Sequence, residues 1–190
     1  LTEQTITHPE LVRALVKPGA DILSGLTAET ADLWHAGTGV ATEASEICLA
    51  LLEFHNNREL DLENLVEELG DMEFYLQQLR TNLGVARDEV IEADIPFMYS
   101  PEPIEMAAVI SVAGGDILDL VKKVVVYQKP VDRDAFIAVL AKLEGPLMVI
   151  RHMTGVEQDD VLAANIAKLS VRYAGLTYTD ADAQARADKA

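Results

Sequence analysis

Two pairs of acidic residues at helical spacing constrain this chain more than any other feature. Glu43 and Glu46 lie three residues apart, as do Glu68 and Asp71 in the run Glu67-Glu68-Leu69-Gly70-Asp71. Residues three apart share one face of an α-helix. Each pair continues an apolar stripe of the same period: Ile47, Ala50 and Phe54 follow the first, Met72, Tyr75 and Leu79 the second. The pattern predicts two facing helices with four carboxylates at one end of a shared apolar seam. Carboxylates that are crowded and partly dehydrated repel, at several kcal/mol per ion unless a cation joins them. An all-oxygen donor set suits Mg²⁺, with Mn²⁺ as a substitute, and Mg²⁺ takes the rest of its shell from water and substrate phosphates. Chemistry on a phosphate chain is the expected use. The plainer alternative is a solvated acidic face, since such pairs arise by chance in a chain with 32 Asp and Glu. Against it stand the doubled spacing and Gly70, which costs about 1 kcal/mol relative to alanine inside a helix and signals close packing or function.

Composition narrows the fold and the partners. Only 5% of the 190 residues are aromatic, and Ala, Leu, Val, Glu and Asp dominate, which points to an all-α chain. A formal charge of −17 argues against a nucleic-acid polymer as partner, because phosphate backbones are bound by fields of Lys and Arg. A free nucleotide escapes that objection once bound metal inverts the local field. Cys48 has no second cysteine to pair with and sits in an apolar helix, as a small core residue does. The most apolar stretch, residues 107–126, is interrupted by Asp116, Asp119, Lys122 and Lys123, and no charged-then-apolar leader is visible. No membrane partner and a cytoplasmic location are expected.

Helices are expected over 9–16, 20–35, 40–56, 60–83, 104–127, 132–153 and 159–173, with Gly37 and Gly39 breaking the chain before the motif helix. The stretch Ile95-Pro96-Phe97-Met98-Tyr99-Ser100-Pro101-Glu102-Pro103 reads as a linker. The resulting plan has N-terminal helices over 1–36, a metal-binding unit over 37–95, a linker over 96–103, a second helical unit over 104–176 and a flexible tail over 177–190. The two units look like copies of one helical-hairpin unit. Residues from Ala44 align with those from Gly114 at an offset of 70, pairing Glu46 with Asp116, and Asn82 onward aligns with Met153 onward at an offset of 71. The copies have diverged in complementary ways. Ala113, Val139 and Lys142 stand opposite Glu43, Glu68 and Asp71, so the acidic box is missing from the second unit. Asp94 and Phe97 stand opposite Asn165 and Lys168, so that pair is missing from the first. One composite site is expected, with metal ligands from the first unit and phosphate or base contacts from the second.

The order E-x-x-E, a 22-residue step from Glu46 to Glu68, then E-E-L-G-D resembles the MazG-like all-α nucleoside triphosphate pyrophosphohydrolases, a superfamily that includes dimeric dUTPases and phosphoribosyl-ATP pyrophosphohydrolase. The later Asn165, Lys168, Arg172 and Tyr173 resemble that family's Asn-x-x-Lys element with a following Arg. The likeness covers residues 30 to 95 and, locally, 160 to 173. It implies a MazG-like helical bundle in which Glu43, Glu46, Glu68 and Asp71 hold two or more Mg²⁺ ions. Glu43 or Glu46 would take a proton from water, and Lys168 and Arg172 would offset phosphate charge. Asn165 would read sugar or base. Tyr173, Trp34 and His35 are candidates for stacking, although Trp34 also reads as core. Thr42 stands where many members carry Glu. The implied substrate is a nucleoside triphosphate, with guanine-specific phage relatives of the MazZ group as one model, and the implied assembly is a homodimer or homotetramer.

Three other readings compete. A carboxylate-bridged di-iron bundle needs Glu-x-x-His pairs, and none occurs at these positions. A non-catalytic acidic interaction bundle explains the charge but not the spacing. Hydrolysis of dUTP or phosphoribosyl-ATP stays within the resembled superfamily. His55 and His152 read as helix-end residues, and Lys122 and Lys123 as a solvated face.

Overall fold

The structure, a computed structural model, describes residues 6–93 and 101–189 and is all-α, with no strand among those residues. Its α-helices are α1 (His8–Leu15), α2 (Gly19–Ser24), α3 (Ala28–Asn57), α4 (Leu62–Leu83), α5 (Arg87–Glu92), α6 (Pro103–Val125), α7 (Arg133–Thr154), α8 (Gln158–Arg172) and α9 (Asp180–Ala185), followed by a 3₁₀ turn, Ala187–Lys189. No described helix is long and apolar enough to cross a membrane.

The expected break at Gly37 and Gly39 does not occur. Helix α3 runs 30 residues through both, starting from Thr27, whose hydroxyl accepts the Thr30 N–H. Thr42, far from any terminus, donates its hydroxyl to the Gly39 carbonyl at 2.8 Å. The glycines serve tertiary approach instead. A Cβ at Gly37 would lie 2.5 Å from Val121 Cγ2, and one at Gly39 would fall 2.2 to 2.5 Å from the Tyr75 ring. A boundary between residues 36 and 37 therefore falls inside one helix.

The repeat is legible in three dimensions. Asp61 and Asp132 cap α4 and α7 by the same contact, accepting the N–H of Asn64 and of Ala135, and both helices end on left-handed glycines, Gly84 and Gly155. All of these pairs are 71 residues apart. The buried stripe of α4, Leu65, Leu69, Met72, Leu76 and Leu79, recurs at that offset as Phe136, Leu140, Leu143, Leu147 and Ile150. Helices α3 and α6 form the most extensive contact in the molecule. At their crossing a Cβ on Gly114 would come within 2.8 Å of the Ala44 methyl. Ala44 and Gly114 are themselves equivalent by the offset of 70, so α3 and α6 meet closely through equivalent positions.

The third helix of each copy is exchanged: α5 packs on α7, and α8 packs on α4. A buried charge network also joins the copies. Arg80 reaches Glu73 at 3.5 Å, and the equivalent Arg151 reaches Glu144 at 3.0 Å and Glu73 at 3.7 Å. Arg87 adds a 2.5 Å contact to Glu144. Four of these five residues are at most 7% exposed, so each ion depends on its partners and deleting one strands another.

The tail differs most from expectation. Thr179 accepts the Asp182 N–H at 3.0 Å and donates to its carboxylate at 2.7 Å, which starts α9 where a frayed end was expected. In the linker, Pro103 opens α6, while Pro96, with the counterparts Asp94 and Phe97, lies outside the described residues.

Candidate metal centre

Helix α3 supplies Glu43 and α4 supplies Glu68 and Asp71, and one carboxylate oxygen from each lies within 4.8 Å of the others. Glu43 and Glu68 are both 9% exposed. Glu46 is not in this group. Three residues of helix turn it by about 60° from Glu43, toward solvent, and it is exposed at the rim with its carboxyl against that of Glu68. The structure thus narrows the four expected ligands to three clustered carboxylates and one marginal neighbour.

Crowding shows in the acidities. Burial, then the charges of Glu46, Asp71 and Glu68, push Glu43 up to about 7. Burial, then Glu46, Glu67 and Asp71, push Glu68 up to about 7. Both values rise from 4.5, so Glu43 and Glu68 favour their protonated forms, and a divalent cation would replace those protons. A carboxyl raised in this way leaves stability untouched below its unfolded value and lowers it as pH climbs through the folded one. The melting temperature of metal-free protein is therefore expected to fall between pH 4.5 and about 7 and to flatten above that. Thermal scans across this window check it. A hundredfold excess of Mg²⁺ or Mn²⁺ over its dissociation constant is expected to return about 2.7 kcal/mol at neutral pH and little at the acid end.

The equivalent position in the second copy supports a demand for positive charge. Where the first copy has Glu46 and Asp71, the second has Asp116 and Lys142, and these pair at 3.0 Å. A lysine ammonium there supplies the charge that the first copy's own α3 and α4 lack.

Helix α8 brings in the other expected group. Asn165 donates its amide to Asp71 Oδ1 at 2.9 Å, and Lys168 Nζ reaches Asp71 Oδ2 at 2.5 Å and Glu67 Oε1 at 3.2 Å. Gly70 allows this approach, since a Cβ there would sit 2.9 Å from the Asn165 Cβ. The donors come from the second copy and the carboxylates from the first, so residues of the two copies meet within one chain.

Arg172 is turned to the tail, where its Nε and Nη2 each donate to Asp188 at 2.6 Å. Tyr173 follows α8, and its ring lies 5.8 Å from that of Tyr178. Trp34 does not join the site. Nine residues of helix separate it from Glu43, about 180° of turn, and it is 50% exposed, so it is neither core nor lining. His35 is closer, edge-on to Tyr75 at 5.7 Å. Tyr75 itself was read from the sequence only as stripe. Burial, then the charges of Glu43, Asp71 and Tyr173, push its phenol up, which places it beside the carboxylates and next to Tyr173. Its position four residues after Asp71, on the same helical face, was the available signal.

Glu67, Asp188 and Lys189 were also missed. They line a cleft of about 780 Å³ together with Asn165 and Lys168, with Leu62, Val66 and Val171 on its apolar side. Cys48 donates its thiol to the Ala107 carbonyl at 3.0 Å, and burial pushes its acidity toward higher pH, the state of a packed, inert cysteine. His55 and His152 lie in the last turns of α3 and α7, and Lys122 and Lys123 pair with Asp119 on an exposed face.

Comparison with protein-family models, curated proteins and solved structures gives no match.

Proposed function

We propose that this chain is a divalent-metal-dependent nucleoside triphosphate pyrophosphohydrolase, which converts a nucleotide to its monophosphate and pyrophosphate. The observation that carries the reading is the meeting of three crowded carboxylates on α3 and α4 with Asn165 and Lys168 from α8. The resemblance of the two acidic motifs to the MazG-like superfamily supports the same reading. A solvated acidic face would not push two carboxyls up to about 7 or draw a lysine and an amide onto the same aspartate.

Glu43, Glu68 and Asp71 would hold Mg²⁺ or Mn²⁺, and Glu46 at the rim would extend the donor set toward a second ion. The bound metal supplies positive charge that neutralises phosphate oxygens and acidifies a water molecule. Glu43 or Glu46 would accept the proton of the attacking water as it adds to Pα and the Pα–O–Pβ bond breaks. Lys168, freed from Asp71, follows the charge onto the departing pyrophosphate. Asn165 orients the sugar or base, and Tyr75 and Tyr173 offer ring faces to the base, for which a guanine deoxynucleotide is the first candidate. With such a substrate a cytoplasmic location is the expected one. Pairing of chains is expected, although one chain already brings both halves of the site together.

A panel of the common ribo- and deoxyribonucleoside triphosphates with Mg²⁺ or Mn²⁺ tests the reading. The expected products are a monophosphate and pyrophosphate from at least one nucleotide. Diphosphate and orthophosphate, or no product from any of them, would overturn it.

A further inference from the structure

Two charged residues of the tail sit on Glu67, which lines the cleft, and on Arg172 at the end of α8 beside it. Asp188 accepts from Arg172 Nε and Nη2, at 2.6 Å each, and Lys189 Nζ donates to both oxygens of Glu67, at 2.6 and 2.7 Å. The Asp188 carboxylate is 2% exposed, and the Arg172 guanidinium accepts it in the planar two-pronged fashion in which it accepts a phosphate group. Ala187, Asp188 and Lys189 form one wall of the cleft opposite Glu67 and Lys168.

What holds this wall is electrostatic. Apart from the Asp188 carboxylate under Arg172, neither α9 nor the 3₁₀ turn contributes a buried group, and the Tyr173–Tyr178 ring contact lies at the root of the tail. A segment held by ion pairs without core contacts belongs to the part of a protein that opens at low free-energy cost. Arg172 is thus a preformed anion receptor filled by the chain's own carboxylate, on the edge of the proposed reaction site.

We propose that residues 180–189 are an intrasteric latch, with Asp188 standing on Arg172 as a surrogate for a ligand phosphate and Lys189 closing on Glu67, so that polyphosphate binds only when the latch opens. The idea rests on the proposed function for its ligand class, but not on turnover. A latch closed in about nine molecules of ten weakens apparent polyphosphate affinity about tenfold.

The test is calorimetric titration of the 190-residue chain with inorganic tripolyphosphate, free of divalent metal, comparing wild type with Asp188→Asn/Lys189→Gln. The expected result is about tenfold tighter binding by the double variant, wild-type binding by Asp188→Glu, and loss of binding in Arg172→Ala. Hydrogen exchange across residues 180–189 should rise in the double variant and in wild type saturated with tripolyphosphate. Equal or weaker binding by the double variant, or no binding by either protein, would overturn the latch. Tighter binding by the double variant in a protein that hydrolyses no nucleotide would uphold the latch and overturn the reaction. Pyrophosphate release with unchanged binding would do the reverse.

Discussion

Replacing Glu68 with glutamine is expected to abolish pyrophosphate release while making the metal-free protein more heat-stable. The side chain keeps its shape and loses one charge. In the metal-free state that charge is a burden, because Glu68 is buried against Glu46, Glu67 and Asp71 and its carboxyl is pushed up to about 7. Relief of each kcal/mol of repulsion raises the melting temperature by roughly 2–4 °C for a chain of this size. With metal present the same substitution removes one of three clustered donors. A loss of at least about 10³ in kcat/KM, on the order of 4 kcal/mol of transition-state stabilisation, is the expected result. Steady-state kinetics and thermal scans of the metal-free protein measure the two effects. A purely structural Glu68 would lose activity and stability together, whereas a ligand trades one for the other.

The second large effect is expected at Lys168. Its ammonium lies 2.5 Å from Asp71 and lines the cleft, so in the proposed reaction it leaves a carboxylate for a phosphate. Lys168→Ala should lower kcat/KM by roughly 10² to 10³, the scale seen when one charge-stabilising donor is removed. Metal affinity should be kept or improved, because the substitution frees Asp71 from a competing cation. Kinetics paired with Mn²⁺ calorimetry separates the roles. Metal affinity lost to the extent seen in Glu68→Gln would place Lys168 in the structural support of the cluster, and the composite site would not stand.

The meeting of Asn165 and Lys168 with the acidic box was legible because the copies diverged in complementary ways. Comparing Asp71 with Lys142 and Glu68 with Val139 showed that the acidic box survives once, and the exchange of α5 and α8 carries Asn165 and Lys168 to it. Gly37 and Gly39 were not legible. Two glycines near a helix start read as a break, and only the arrival of Val121 and the Tyr75 ring shows them to be contact points within α3. Glu73, Arg80, Glu144 and Arg151 look like ordinary surface charges when read singly; their recurrence at the offset of 71 was the signal that they belong together.

The tail misled for a different reason. Its Ala and Asp content suggested disorder, while the Thr179-x-x-Asp182 cap, a local signal, was present all along. The partners that fix its end, Arg172 and Glu67, lie 16 and 122 residues away in sequence, and no local pattern points to them. Trp34 erred by phase alone: its chemistry suits stacking, but nine residues of helix turn it away from Glu43.

In the proposed centre Glu43, Glu68 and Asp71 bind a divalent cation in exchange for protons that burial and crowding hold on Glu43 and Glu68. Calorimetric titration of metal-free protein with Mn²⁺ just below neutral pH, repeated in buffers of different ionisation enthalpy, tests it without turnover. Saturable binding that releases about one proton or more per chain, and that disappears in Glu68→Gln, is the predicted result. No binding, or binding that releases no protons and survives the substitution, would contradict it and leave the acidic cluster as surface charge.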